Sequence, residues 1–267
     1  MKIGFLGAGK MAEAMMAAWL ESETVTAHEL FACDTDAERR RRIKRRLGVN
    51  AYASVQPFAE EVELLVLAIK PQDLDAALSA LPPDVGPKHL VVSIAAGRRL
   101  AWLEERLPAV RLVRVMPNLP CQVAEGMSVY CLGACTKAAD AATVETLLAG
   151  FGKVLRLPED RFDAVTALSG SGPAFFASFL DAMAEAGMAE GLDRDDALLL
   201  CNQTMLGTAR FLLEKRQDPR QLIQAVASPK GTTVAGLAAL DQSDFAAAVQ
   251  AAVRAATQRS RELSAVR

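Results

Sequence analysis

Histidine is nearly missing from this sequence: His28 and His89 are the only two in 267 residues. A zinc site needs clustered His and Cys ligands. The five cysteines (Cys33, Cys121, Cys131, Cys135, Cys201) are scattered, odd in number and form no C-x-x-C pair. No metal is therefore expected, and a reducing, cytoplasmic setting is the simplest account of the thiols. An excess of either charge is also lacking. The net charge is −2, which argues against a general nucleic-acid binder. Long apolar runs are absent as well. Runs such as Leu64 to Ile69 are far too short to span a bilayer. Met1-Lys2 leads straight into an apolar stretch, so no signal peptide is expected. Apolar residues still make up 51% of the chain, enough for a sizeable core in one large domain or two modest ones.

The first dozen residues carry the strongest signal. Lys2 to Leu6 is long enough for one buried strand and runs into G-x-G-x-x-A at Gly7, Gly9 and Ala12. Lys10 and Met11 open a run of helical composition. Strand, glycine turn, helix is the context that makes this motif a dinucleotide-binding hypothesis. Gly7 allows the tight turn, Gly9 lets a pyrophosphate approach the backbone, and Ala12 lets the helix pack closely on the strand. The helix start would offer free N–H groups to the phosphates.

Strand and helix patterns then alternate. Strands are expected over His28–Cys33, Val62–Ile69, His89–Ile94, Arg111–Met116 and Gly126–Cys131, with a short segment opening at Gly48. Helices are expected over Gln72–Leu81 and Thr136–Gly150. This implies a Rossmann-type, doubly wound, mostly parallel sheet over residues 1–156. Ligands of such sheets bind beyond the carboxyl ends of the strands. Gly7–Met11, Asp34, Ala68, Lys70, Pro71, Ala95, Ala96, Gly97 and Asn118 fall at those ends, and Asn50 joins them as a candidate cofactor contact. Ala95 to Gly97 are small enough to leave room for a flat ring.

Asp34 stands where this fold reads the adenosine ribose, and a carboxylate there favours a 2′-OH over a 2′-phosphate. The basic run Arg39–Arg46 close behind is suited to holding a 2′-phosphate, but reads better as a solvated helix face. NADH and NADPH both remain open.

After Pro158 no strand is expected, only helices, so residues 157–267 read as an all-helical domain. Asp160–Leu168 is one helix, broken by Ser169-Gly-Ser-Gly172. Pro173 opens the next, which Gly191 closes. The runs Pro173–Ala189 and Ala197–Leu206 are apolar around most of their circumference. Such helices are buried on all sides, and a domain of about 105 residues has little interior for several of them. A second copy of the chain is expected to cover them, making a homodimer or higher oligomer. Asp218-Pro219 caps a further helix, and Ser243 or Asp244 opens the last. Between these, Ser228-Pro-Lys230-Gly231-Thr232-Thr233 is a loop of small and hydroxyl residues ahead of a helix. Its N–H groups suit a carboxylate; Ser228 or Thr232 would equally make a plain N-cap.

Taken together, Gly4–Met11, Ala68–Pro71, Ser93–Gly97, Met116–Pro120, Leu168–Ala174 and Ser228–Thr233 resemble the pyrroline-5-carboxylate reductases. The last two blocks are specific to that family. The family usually has two glycines after the Ser-Pro; here Lys230 stands in place of the first, which puts a long cation beside the expected carboxylate. The resemblance implies a dinucleotide-binding domain, a helical domain that intertwines with a partner subunit, and reduction of 1-pyrroline-5-carboxylate to L-proline by NADPH or NADH. It further implies that Ser228, Lys230, Gly231, Thr232 and Thr233 hold the substrate, with Thr233 on the ring nitrogen. Reduction of a carbonyl usually requires a proton donor, often His or Lys. A protonated cyclic imine is already electrophilic, so positioning suffices. Two rivals remain: a 3-hydroxyacid dehydrogenase-like oxidoreductase and a non-catalytic nicotinamide sensor. The first would need a lysine on the long first helix of the helical domain, and none occurs between Lys153 and Lys215.

Overall fold

The computed structural model describes residues 1–83 and 85–265. They divide into two compact units, one of residues 1–170 and 256 onward, the other of residues 171–255.

The first unit is built on an eight-stranded sheet. Its strands are β1 (Ile3–Leu6), β2 (Leu30–Cys33), β3 (Asn50–Tyr52), β4 (Leu64–Leu67), β5 (Leu90–Ser93), β6 (Arg111–Met116), β7 (Gly126–Leu132) and β8 (Gly152–Arg156), in the order β3-β2-β1-β4-β5-β6-β7-β8. The first six are parallel to one another, β7 runs antiparallel to β6, and β8 is parallel to β7. The sheet is thus mostly parallel, as expected. Every residue of β1, β2, β4 and β5 is buried, the mark of strands covered on both faces.

Alternation along the strands divides the core in two. Ile3, Phe5, Leu64, Val66 and Val92 face one layer, with Met15 and Trp19 of α1 (Lys10–Glu21), Ile43 of α2 (Ala37–Leu47) and Leu147 of α5 (Ala138–Ala149). Leu6, Leu65, Leu67 and Val91 face the other, with Leu74 and Leu78 of α3 (Leu74–Ser79), Leu103 of α4 (Leu100–Arg106) and Phe162 of α6 (Phe162–Val165). Trp19 is fully buried, and its indole N–H donates to the Leu147 carbonyl at 2.6 Å, tying α1 to α5.

Strand lengths are shorter than the sequence suggests. His28 falls in a 3-10 turn (Ala27–Glu29) rather than in β2. Two elements were not anticipated. Helix α4 is seven residues long and buries only Leu100 and Leu103; β8 is an edge strand, half exposed. Neither has the apolar periodicity that reveals a longer element. The break expected at Ser169–Gly172 is different in kind. Residues Thr166–Gly170 widen into a π-turn that continues α6, and α7 (Gly172–Ala189) follows at once with Pro173 in its first turn.

The last strand ends at Arg156, where the dinucleotide-binding domain was expected to stop, but the compact unit runs on to Gly170. It also takes back the end of α11 (Phe245–Ala265). There the Ser260 hydroxyl donates to Asp163 Oδ1 at 2.7 Å.

The second unit holds α7, α8 (Arg194–Lys215), α9 (Pro219–Val226), α10 (Thr232–Gln242) and the first part of α11. Helices α7 and α8 pair as a hairpin through Gly191, at φ +96°. Their outer faces leave Phe176, Leu199, Leu200 and Leu213 more than half exposed within one chain, the pattern of a surface that a partner covers. No described helix is long and apolar enough to cross a membrane.

Candidate functional site

The register of the sheet aligns the candidate residues. Leu6 pairs with Cys33 on one side and Leu67 on the other, and Leu67 pairs with Ser93. The segments that follow these four residues therefore leave the sheet at one level. They are Gly7–Met11, Asp34, Ala68–Pro71 and Ala95–Gly97. Strand order reverses between β1 and β4, and that switch point is where such sheets bind ligands.

The glycine turn is fixed by its surroundings. Gly7 N–H donates to the Cys33 carbonyl at 2.8 Å with φ +102°. A Cβ there would lie 2.6 Å from the Ala68 carbonyl oxygen, so only glycine fits. Gly9 is the opposite case: a Cβ would meet nothing within 4 Å. It begins α1 with no side-chain cap, leaving N–H groups and open space where a pyrophosphate fits. Ala12 is buried against the sheet; Lys10 is exposed and Met11 half-buried.

Asp34 is drawn into the turn. Its Oδ2 accepts from Ala8 N–H at 2.9 Å and its Oδ1 from Asp36 N–H at 2.9 Å. Further along the edge, Arg98 Nη2 donates to the Pro71 carbonyl at 3.2 Å and links the loops after β4 and β5. Lys70 and Ala96 are exposed, Ala68 and Pro71 half-buried, and Ala95 buried. The sequence carried no signal for the Ala8 or Arg98 contacts, because each joins a side chain to the backbone of a distant loop.

Three expected cofactor residues make close contacts within the chain. Gly97 lies at the edge with φ +73°, but its open side is filled: a Cβ would sit 3.2 Å from the Leu263 carbonyl oxygen of α11. Its small size accommodates that helix. Asn50 begins β3, at the opposite end of that strand, and its amide donates to the Leu30 carbonyl at 3.3 Å. Asn118 follows β6 with both ends of its amide engaged, donating to the Ser169 carbonyl at 3.2 Å and accepting from Met127 N–H at 2.8 Å. It fastens the π-turn to the sheet.

In the second unit, Ser228 to Gly231 form a tight turn. Gly231 N–H donates to the Ser228 carbonyl at 3.0 Å. Pro229 takes the second position and Lys230 the third with φ +60°, the pattern of a type II turn. The third position of that turn favours glycine, which explains why a glycine is usual there; Lys230 adopts the same backbone. Gly231 is the N-cap of helix α10, which has no side-chain cap. The N-capping role considered for Ser228 or Thr232 is therefore not observed, and the first N–H groups of α10 stay open. Thr232 is exposed and Thr233 half-buried at this end.

The chain is similar to known proteins along nearly its whole length. Residues 159–263 match the family described as pyrroline-5-carboxylate reductase dimerisation, and residues 2–97 match one described as NADP oxidoreductase, coenzyme F420-dependent. A pyrroline-5-carboxylate reductase of Arabidopsis thaliana is 38% identical over 263 residues, covering 98% of this chain and 95% of its own length. Pyrroline-5-carboxylate reductase 3 of Rattus norvegicus is 40% identical over 264 residues, covering 98% and 96%. The crystal structure of Plasmodium falciparum pyrroline carboxylate reductase with NADP bound superposes with a TM-score of 0.90 at 29% identity, over 99% of this chain and 98% of that one. A dinucleotide edge on a doubly wound sheet, a helical dimerisation unit and relatives matched along nearly their full length converge on one assignment: the chain belongs to the pyrroline-5-carboxylate reductases.

Proposed function

We propose that the chain reduces the C=N bond of 1-pyrroline-5-carboxylate to give L-proline, as a homodimer or higher oligomer. The observation that carries this reading is the Ser228–Gly231 turn, which delivers Thr232 and Thr233 to the uncapped start of α10. The open N–H groups there suit the substrate carboxylate, and the Thr233 hydroxyl suits the ring nitrogen, as donor or acceptor. Lys230 adds a positive charge beside the carboxylate.

The residues of the first unit fit a dinucleotide, since Gly9 leaves the approach to α1 open. Gly7, Gly9, Lys10, Met11, Asp34, Ala68, Lys70, Pro71, Ala95 and Ala96 would hold it. NAD(P)H, when bound, supplies the hydride. The residues around the substrate have only to bind, orient and exclude alternatives, because hydride addition to a protonated imine neutralises charge rather than creating an alkoxide. That matches a helical half without histidine and an α7 without lysine. A 3-hydroxyacid dehydrogenase would lack its proton carrier. All five thiols are free, in keeping with a cytoplasmic setting.

The test is spectrophotometric. Addition of 1-pyrroline-5-carboxylate to enzyme and NADH or NADPH should oxidise the cofactor steadily and yield proline. Absence of turnover with both cofactors would leave the sensor reading in its place.

A further inference from the structure

The sequence leaves Asp34 and the basic run Arg39–Arg46 in conflict over which dinucleotide is bound. The structure shows how the two are arranged. Asp34 is 8% exposed at its side chain, and its two oxygens accept separate backbone N–H groups, one from Ala8 in the glycine turn and one from Asp36, each at 2.9 Å. A carboxylate held at both oxygens cannot turn away without leaving those N–H groups unpaired. Its negative charge is thus fixed beside the glycine turn, where this sheet places the adenosine ribose.

Four of the cations nearby are already matched. Arg39 Nη1 lies 3.5 Å from Asp34 Oδ2, and its Nε lies 3.5 Å from Asp36 Oδ2. Arg40 Nη1 donates to the carbonyls of Asp34 and Thr35 at 2.7 and 2.9 Å. Arg42 and Arg46 pair with Glu13, an α1 residue that is only 9% exposed, at 3.2 and 2.5 Å. Four of the arginines that a 2′-phosphate would recruit are therefore bound to the chain's own carboxylates and carbonyls. The phosphate would meet a fixed anion first.

We infer that this enzyme selects NADH over NADPH, with Asp34 as the specificity-determining residue and Arg39 as the cation that Asp34 keeps from a 2′-phosphate. The inference rests on the dinucleotide reading of the first unit and refines it. Two interactions set the preference. A ribose 2′-OH donates to the Asp34 carboxylate, whereas a 2′-phosphate repels it at close range. Specificity built on such a repulsive element is lost when the element is removed.

The experiment measures binding of NADH and NADPH to the full-length protein by nucleotide fluorescence, without substrate, so the preference is read whether or not the imine is reduced. The wild type should bind NADH roughly tenfold or more tightly than NADPH. Asp34→Ser should bring the ratio to unity or below, chiefly by tightening NADPH, and Asp34→Ser with Arg39→Ala should lose that gain. Should Asp34→Ser fold poorly, competition on the wild type reads the same preference: 5′-AMP should displace NADH better than 2′,5′-ADP. Equal or tighter binding of NADPH by the wild type overturns the inference. So does an Asp34→Ser protein whose ratio is unchanged, or a wild type that prefers 2′,5′-ADP.

Discussion

Gly7 and Gly9 occupy the same motif two residues apart, yet substituting each by alanine should fail in different ways. At Gly7 an alanine would have to hold φ +102°, a region costing a non-glycine residue about 1–3 kcal/mol. Its Cβ would also sit 2.6 Å from the Ala68 carbonyl oxygen and 2.7 Å from Ile69 Cγ2. The first contact is with backbone, so β4 and its loop must shift, at about 1–3 kcal/mol more. Gly7→Ala should therefore destabilise the first unit by about 4 kcal/mol, a large fraction of what holds a domain folded. At Gly9 the backbone is ordinary, with φ −72° and ψ −178°, and the added methyl meets nothing within 4 Å. The expected loss is below about 1 kcal/mol, the difference between glycine and alanine as an N-cap. The methyl would instead occupy the approach of the pyrophosphate. An overlap of about 2 kcal/mol weakens cofactor binding roughly 30-fold. Denaturant unfolding of the cofactor-free proteins, paired with NADH titration, separates the two effects. A Gly9→Ala protein that binds NADH as tightly as wild type would refute the reasoning, as would a Gly7→Ala protein of wild-type stability.

Arg114 is 6% exposed at its side chain, and its guanidinium donates to Glu159 Oε1 at 2.8 Å, an oxygen that also accepts from Leu100 N–H at 2.7 Å. Glu159→Gln should lower stability by about 3 kcal/mol, because a buried cation loses its anion; adding Arg114→Met should recover part of the loss in the same unfolding assay. Burial pushes the Cys33 thiol up to about 11 and the Cys131 thiol to about 12 from an ordinary 9.0, and burial with the Glu145 acceptor pushes the Tyr130 phenol to about 12. The folded state thus holds these protons more tightly than the unfolded one. The thiol contribution to stability is complete below about pH 9 and falls as pH rises to 11–12, followed by that of the phenol. An unfolding midpoint that did not drop between about pH 8 and pH 11 would contradict this. In the native protein the exposed Cys135 should react with a thiol reagent while buried Cys33, Cys121 and Cys131 do not; counting thiols that react before and after denaturation checks it. Thr233→Val should lower turnover roughly tenfold to hundredfold, the worth of one hydrogen bond to a charged group, with little change in cofactor affinity. Equal turnover would remove Thr233 from the mechanism.

Whatever depends on neighbours in the chain was readable from the sequence. Ile3–Leu6 followed by Gly7, Gly9 and Ala12 marks a strand, a turn and a close-packed helix, because sterics at glycine and alanine act within a few residues. The alternating apolar runs marked five further strands and the doubly wound class. The apolar circumference of α7 and α8 showed that one chain leaves them uncovered.

What joins distant segments needed the tertiary structure. The antiparallel direction of β7, the π-turn at Thr166–Gly170 and the return of α11 to the first unit have no local periodicity to announce them. The contact of Gly97 with Leu263 and the bonds of Asn50 and Asn118 to distant backbone were likewise invisible in the sequence. Asp34 was visible as a carboxylate in the right place. That its two oxygens are bound by Ala8 and Asp36, and that Arg42 and Arg46 behind it are paired with Glu13, depends on side chains meeting across loops and helices. Residue type records which charges a chain carries; only folding decides which of them are left to face a ligand.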